Sequence, residues 1–166
     1  QDGKVIDKFS CFVNPEKSIP PRVVEVTGIT DDMVRNAETI DKVFPKLLEF
    51  IKDSVLVAHN AEFDVGFLRH FARELGYEFD FTYLDTLSLA YELFPEYKTY
   101  KLGRIAKNLG IKVDVAHRAL DDVDTTVKVF KVMLDMLRER GVKTLEDIEI
   151  YASDETAKKE AFKKLR

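Results

Sequence analysis

Residues 54–64 read Ser-Val-Leu-Val-Ala-His-Asn-Ala-Glu-Phe-Asp, and this stretch decides the class of fold. Its first five residues, 54–58, form a short and continuously apolar run, which predicts a buried strand. Asn60 then predicts the N-cap of a helix whose first turn contains Asp64. Ligands in α/β proteins bind beyond the carboxyl ends of strands. The stretch therefore predicts a strand-to-helix step that places His59, Asn60 and Asp64 at such an edge.

The flanking sequence predicts further strands and helices. Residues 5–13 alternate between two faces, which predicts a strand that carries Cys11 in the core, and Tyr83-Leu84 reads as the end of another strand. Asp2-Gly3 favours a two-residue hairpin turn, which needs a preceding strand, so we expect one or two N-terminal strands to be missing from the sequence. Strands followed by helices predict an α/β domain over residues 1–150 with a mixed sheet. Residues 151–166 are predicted to form a charged helical linker.

Helix starts are predicted from capping residues, and inward faces from helical spacing. Helices are expected after Thr30, Thr39, Asn60, Asp85 and Thr99, with a long helix from about residue 116 to residue 140, whereas residues 14–30 are expected to form a loop. The helix after Asn60 is predicted to bury Phe63, Phe67, Leu68, Phe71 and Leu75. The long helix is predicted to bury Leu120, Val123, Val127, Phe130, Met133, Leu134 and Leu137.

Composition limits the class of protein. The chain has 166 residues, 45% hydrophobic and 34% charged, which is typical of one globular domain, and no apolar run is long enough to span a membrane. A single cysteine excludes an internal disulfide and fits a reducing cytoplasm. The net charge of −4 argues against binding nucleic acid by bulk electrostatics. Residues 98–118, however, contain six Lys or Arg against one acid, which is either a solvated helix face or a face that follows phosphates.

Two carboxylate segments carry the candidate chemistry. An acid such as Asp64, with apolar neighbours in sequence, costs desolvation energy unless it is paired, capping or bound to metal. His117 precedes or opens the long helix, and Asp121 and Asp122 follow it, so geometry alone does not choose between these two acids. Separated acids that converge on divalent metal, with a histidine as base, indicate hydrolysis of a phosphodiester. The alternative is that these acids have no catalytic role and only stabilise the N-terminal ends of their helices by interacting with the helix dipoles.

The two segments together resemble a known family. His59-Asn60-Ala61-x-Phe63-Asp64 and His117-x-Ala119-x-x-Asp122 resemble the second and third motifs of the DEDD exonuclease superfamily, in its histidine branch. Three further stretches match the family in residue type and order: Val26 to Thr30, Leu84 to Leu87, and Lys101 to Ile111. The resemblance covers roughly residues 1–140. Among relatives, the chain is most similar to the proofreading exonuclease domain of PolC-type bacterial DNA polymerase III.

The resemblance implies a fold, a reaction and a set of site residues. The fold is ribonuclease H-like, and the reaction is hydrolysis from the 3′ end of single-stranded DNA by two Mg²⁺ or Mn²⁺ ions about 4 Å apart. His117 is then the general base, and Asp64 and Asp122 are metal ligands. Five further residues match positions near the terminal nucleotide: Gly28, Ile29, His59, Asn60 and Phe63. The resemblance also implies that the domain belongs to a larger polymerase polypeptide in the cytoplasm.

The sequence departs from the family at its first motif. An Asp-x-Glu pair belongs on the first strand and is absent from the chain, so two of the four expected carboxylates are missing. Three alternatives therefore stay open. The chain could act on RNA ends or short oligonucleotides, or it could be an inactive domain that binds nucleic acid or a polymerase. In the third, it is an unrelated α/β domain whose acids are only helix caps.

Overall fold

The computed structural model describes residues 4–113 and 119–152. The chain divides into two compact units, the first comprising Gln1–Ser54 and Phe67–Phe81 and the second comprising Val55–Gly66 and Thr82–Arg166. His117 lies outside the described residues, and so does the predicted helix over 153–166. Within the described residues, no helix has the length and apolar character needed to cross a membrane.

The elements of the described chain are mainly helical. They are α1 (Pro21–Thr27), α2 (Asp31–Val34), α3 (Ile40–Ile51), β1 (Leu56–Ala58), α4 (Ala61–Leu75), β2 (Tyr83–Asp85), α5 (Thr86–Leu93), α6 (Leu102–Asn108), α7 (Ala119–Glu139) and α8 (Leu145–Ala152). The chain is thus a helix-rich α/β protein with a small sheet, as the sequence predicted.

The sheet of the described residues has two strands. β1 and β2 pair in parallel, with Leu56 opposite Tyr83 and Ala58 opposite Asp85. The two strands therefore end at the same edge. The sequence correctly predicted both strands, although β1 is half-buried and not fully buried.

The predicted strand over residues 5–13 is wrong for the described structure. These residues form no strand there, and the antiparallel part of the predicted mixed sheet is absent from the residues that the structure describes. Alternation alone does not make a strand, because the backbone of a strand also needs a hydrogen-bonded neighbour. Consequently Cys11 is exposed, not in the core.

The first unit is held by contacts around α3. Phe44 is 1% exposed, and its ring packs against Tyr77 with 5.9 Å between ring centroids. The segment 14–30, predicted as a loop, contains α1, which starts with Pro21 at its first position, where the missing N–H costs nothing. α1 ends at Gly28, whose φ of 70° is a left-handed conformation that glycine adopts without strain.

The second unit contains the main core. α7 packs against α5 and α6, and α5 also packs against α8, which the sequence analysis had not predicted. Leu89, Ile105, Val129 and Met133 are completely buried. These contacts fix α5 and α6 relative to α7.

Both predicted inward faces need correction. On α4, Phe63 and Phe67 are 70% and 59% exposed, while the small residues Ala61 and Val65 are buried. On the first half of α7, the structure buries two threonines and exposes three apolar residues: Thr125 and Thr126 are inside, and Leu120, Val123 and Val127 are outside. Each threonine hydroxyl bonds the carbonyl oxygen four residues earlier, which removes the cost of burying it. Side-chain size and local hydrogen bonding, not apolar spacing, set these faces.

Candidate active site at the carboxyl ends of the strands

The parallel register brings two strand-to-helix steps together. Because Ala58 lies opposite Asp85, the segment His59-Asn60 emerges from β1 beside the point where β2 passes into α5. This is the edge at which α/β proteins place their ligands. The sequence predicted such an edge for β1, and the structure adds the start of α5 to it.

The carboxylate of Asp85 organises this edge. Its Oδ1 accepts hydrogen bonds from the backbone N–H of Leu87 at 2.9 Å, which caps α5, and from the backbone N–H of Asn60, also at 2.9 Å. Its Oδ2 accepts from the Ser88 hydroxyl at 3.2 Å. One side chain therefore ties the turn after β1 to the first turn of α5. The sequence analysis predicted the cap and missed the bond to Asn60, because that bond depends on the strand register.

Asn60 sits in a strained turn. Its φ is 68°, a left-handed conformation in which asparagine is enriched among residues that have a side chain. Its carbonyl oxygen accepts the Phe63 N–H at 3.0 Å, and α4 begins directly after it. The bond from its N–H to Asp85 holds this conformation in place. The predicted helix start at Asn60 is therefore confirmed, with a backbone geometry that the sequence had not indicated.

His59 is engaged at both ring nitrogens. Nε2 lies 2.8 Å from the carbonyl oxygen of Tyr100 and donates to it, and Nδ1 lies 3.0 Å from Oγ1 of the buried Thr86. Burial lowers the pKa of His59, against smaller raising effects of the Tyr100 bond and the charge of Asp85. A neutral ring that bridges β1, α5 and the segment before α6 acts chiefly by positioning its neighbours.

Asp64 lies one turn into α4 on its exposed side. Although the residue as a whole is exposed, its carboxyl group is partly removed from water, and this desolvation raises its pKa. A hydrogen bond to its own backbone lowers that pKa, and the smaller effect of the negative charge of Asp85 raises it. Two carboxylates that repel each other at a strand edge are a favourable place for a cation.

Asp122 lies in the first turn of α7 and is half-buried, as is Asp121. Their carbonyl oxygens accept the hydroxyls of Thr126 and Thr125, at 2.8 Å and 2.7 Å. Both acids thus share the same helical turn, the same burial and the same kind of backbone partner. These features do not choose between them.

The donor chemistry of the site fits a hard divalent ion, because its acids offer only oxygen. Among residues 4–113 and 119–152, however, no group of three or more His, Cys, Asp or Glu side chains could hold a metal ion. The described residues therefore form no complete metal site by themselves. The predicted ligands Asp64 and Asp122 stay predictions.

The remaining predicted site residues are placed as follows. Phe63 presents an exposed ring, so the alternative that it belongs to the core is wrong for this structure. Gly28 and Ile29 lie in the first unit, where the Ile29 N–H donates to Oγ1 of Thr27 at 3.2 Å. His117 falls outside the described residues.

Comparison with known sequences identifies the family. The sequence family described as "Exonuclease" matches residues 1–130. The chain belongs to this exonuclease family. It is 42% identical over 163 residues to a DNA polymerase III PolC-type of Clostridium perfringens (strain 13 / Type A), covering 96% of this chain and 11% of that protein. The chain thus spans about a tenth of the length of the PolC-type relative.

Solved exonuclease structures have the same fold. Exonuclease X, solved with 5′ overhanging duplex DNA, superposes with a TM-score of 0.67 at 26% identity, over 92% of this exonuclease chain and 86% of the other. The nuclease domain of 3′hExo, a DEDDh family member bound to rAMP, superposes with a TM-score of 0.68 at 21% identity, over 80% and 74% of the two chains. The expected ribonuclease H-like fold is therefore confirmed.

Proposed function

We propose that this chain is a metal-dependent 3′–5′ exonuclease that removes nucleotides from single-stranded DNA ends and serves as the proofreading domain of a cytoplasmic replicative polymerase. The observation that carries the proposal is the identity of 42% to a PolC-type polymerase over nearly the whole chain. The edge formed by Asp64, Asp85 and the turn at Asn60 supports it, because it gathers negative charge where a substrate site is expected.

In this proposal each residue has a stated task. Asp64 and Asp122 hold divalent ions, which when bound activate water and stabilise the leaving oxygen. His117 accepts the proton of the attacking water. Asp85 holds the turn at Asn60, so that the first turn of α4, and with it Asp64, keeps a fixed position at the edge.

The nucleotide-facing roles follow exposure and backbone geometry. The exposed ring of Phe63 offers a surface on which the terminal base stacks. Asn60 presents its amide from a turn fixed by Asp85, and His59 sets that turn through its bonds to Thr86 and Tyr100. On the family resemblance, Gly28 and Ile29 stay proposed nucleotide-binding residues, and the glycine would let the backbone approach a ligand closely.

The test measures release of nucleotides from single-stranded DNA and RNA carrying a label at the 3′ end, with and without Mg²⁺ or Mn²⁺. We expect metal-dependent release that prefers DNA and that Asp64→Asn, Asp122→Asn and His117→Ala abolish. Asp121→Asn is the matched control, because it removes the same charge from the same helical turn, and it should leave activity within about threefold.

Three outcomes would contradict parts of the proposal. Equal or greater release from RNA would overturn the DNA assignment. Loss of activity in Asp121→Asn, with Asp122→Asn active, would exchange the roles of these two acids. If the parent chain is inert although it binds single strands, release is measured again with the chain extended by a strand that carries the Asp-x-Glu pair, and inertness there too makes the inactive binding domain the correct interpretation.

A further inference from the structure

The segment that contains α6 carries charge of one sign only. Between Tyr97 and Val113 it has no Asp or Glu, although the whole chain has 30 acids and 26 Lys or Arg. Its cations are all exposed, and we call them the α6 basic face: Lys98, Lys101, Arg104, Lys107 and Lys112. With the residues that the structure describes, none of them forms a salt bridge, whereas cations elsewhere do.

The helix geometry separates this face from the core. Ile105 and Ala106 of α6 are completely buried, and α6 packs against α7. At 3.6 residues per turn, Lys101, Arg104 and Lys107 span an arc of about 120° whose centre lies roughly 150° around the axis from the buried pair. The three cations are therefore held together on the side opposite the core.

Such a face needs an explanation beyond folding. Like charges three residues apart destabilise a helix slightly, and uncompensated charge on one element disfavours the compact state. Solubility does not require it either, because the chain already carries a net charge of −4. An opposite charge supplied by a ligand would remove the repulsion.

The α6 basic face starts at the candidate active site. The carbonyl oxygen of Tyr100, which accepts the hydrogen bond from His59 Nε2 at 2.8 Å, belongs to the peptide directly before Lys101. His59 itself directly follows β1 at the edge that contains Asp85 and Asp64. From Lys101 to Lys107 the helix then rises about 9 Å. The cations thus run outward from the edge in steps of about 4.5 Å.

From this arrangement we infer that the α6 basic face binds the phosphodiester backbone of the single strand upstream of the terminal nucleotide. The inference rests on the proposed function, because that function places the 3′ end at the edge. Lysine and arginine contacts to phosphate carry no base information, so this subsite accepts any sequence. It also explains how an acidic protein holds a polyanion, since the binding charge is concentrated on α6 and the residues that flank it.

The test compares two triple variants that remove the same charge from exposed positions. The first, the face variant, removes the three central cations of the face, as Lys101→Gln with Arg104→Gln and Lys107→Gln. The matched control neutralises exposed lysines of other elements: Lys42→Gln, Lys128→Gln and Lys143→Gln. Binding of a fluorescent single strand of about 12 nucleotides is measured by anisotropy in EDTA over a series of salt concentrations, so that cleavage plays no part.

We expect the face variant to bind roughly 10- to 100-fold more weakly at about 0.1 M salt, with the slope of log K against log salt reduced by about 2 for three lost phosphate contacts. The control should keep the affinity and slope of the parent, and strands of different base sequence should behave alike. Equal loss in both variants, or none in either, would overturn the inference. Capture of an acidic peptide in place of the strand would overturn it too.

A second measurement separates this inference from the proposed function. Metal-dependent cleavage of the 12-nucleotide strand should fall at least about 10-fold in kcat/KM in the face variant. Cleavage of a dinucleotide without a 5′ phosphate, which has no phosphate upstream of the scissile one, should stay within about twofold. If neither the parent chain nor the chain extended by the Asp-x-Glu strand cleaves either substrate, the proposed function fails, and the binding series alone still decides the role of the face.

Discussion

Replacing Asp85 tests whether one carboxylate holds the candidate active site together. Asp85→Ala removes the N-cap of α5, which is worth about 1 kcal/mol, and the bond from the Asn60 N–H to a charged acceptor, worth about 1.5–3 kcal/mol. We therefore expect the free energy of unfolding to fall by about 2.5–4 kcal/mol. Nucleotide release should fall as well, because Asn60 is no longer held at its φ of 68°.

The conservative variant separates geometry from charge. Asp85→Asn keeps an oxygen at Oδ1 and is an equally good N-cap, so it should cost under about 1 kcal/mol and retain most of the activity. Because it removes a negative charge near Asp64, it should also lower the pKa of that carboxyl group. Urea unfolding measures the stabilities, and Asp80→Ala is the control for losing an exposed acid. Equal stability losses in the alanine and asparagine variants would refute the hydrogen-bond argument, and so would a loss in Asp80→Ala as large as in Asp85→Ala.

Three further predictions concern Asp64, His59 and Phe63. Burial and the charge of Asp85 raise the pKa of Asp64, so the folded chain is more stable while this carboxyl group is protonated. That stability is lost as pH rises through the raised pKa and the group becomes charged. Asp64→Asn should therefore raise the melting temperature of the metal-free chain at pH 7 while it reduces nucleotide release at least about 100-fold; a lower melting temperature would contradict this. Burial lowers the pKa of His59, so the stability that its neutral ring provides should be lost as pH falls below its unfolded value of about 6.5. His59→Gln should flatten that pH dependence in urea unfolding measured at several pH values, and an unchanged slope would be the contrary result. Phe63→Ala should raise KM roughly fivefold or more yet change stability by less than about 0.5 kcal/mol, because the ring is exposed. Val65→Ala, at a position only 2% exposed, should instead cost about 2 kcal/mol and leave KM unchanged, and the reverse pattern in the two variants would refute the assignment.

Local signals predicted the elements of this chain well. The starts of α4 and α5 follow from Asn60 and Asp85, because capping depends on a few neighbouring residues. β1 and β2 follow from short apolar runs. A cap at Thr99 would start α6 at Tyr100, but the structure has Lys101 at the N-cap position and Leu102 as the first helical residue, two positions later. Such boundary errors are small, since they depend only on the end of one element.

The errors arose where a residue depends on partners that are distant in sequence. The alternation over residues 5–13 indicated a strand, but no neighbouring strand pairs with it in the part of the chain that the structure describes. Apolar spacing predicted that Phe63 lies on the buried face of α4, whereas that face contains Ala61 and Val65. Periodicity finds an apolar stripe, and only packing decides which stripe has a partner.

The sequence by itself determined the family, the strand-to-helix step at residues 58–61 and the candidate residues Asp64, His117 and Asp122, because motif residues and caps are written in consecutive positions. The tertiary structure alone decided that Asp85 meets Asn60 and that His59 joins Thr86 to Tyr100. It also decided that the α6 basic face begins beside that edge. These relations depend on the parallel register of β1 and β2 and on the packing of α6, and both bring together residues about 25 to 40 positions apart that no local pattern connects.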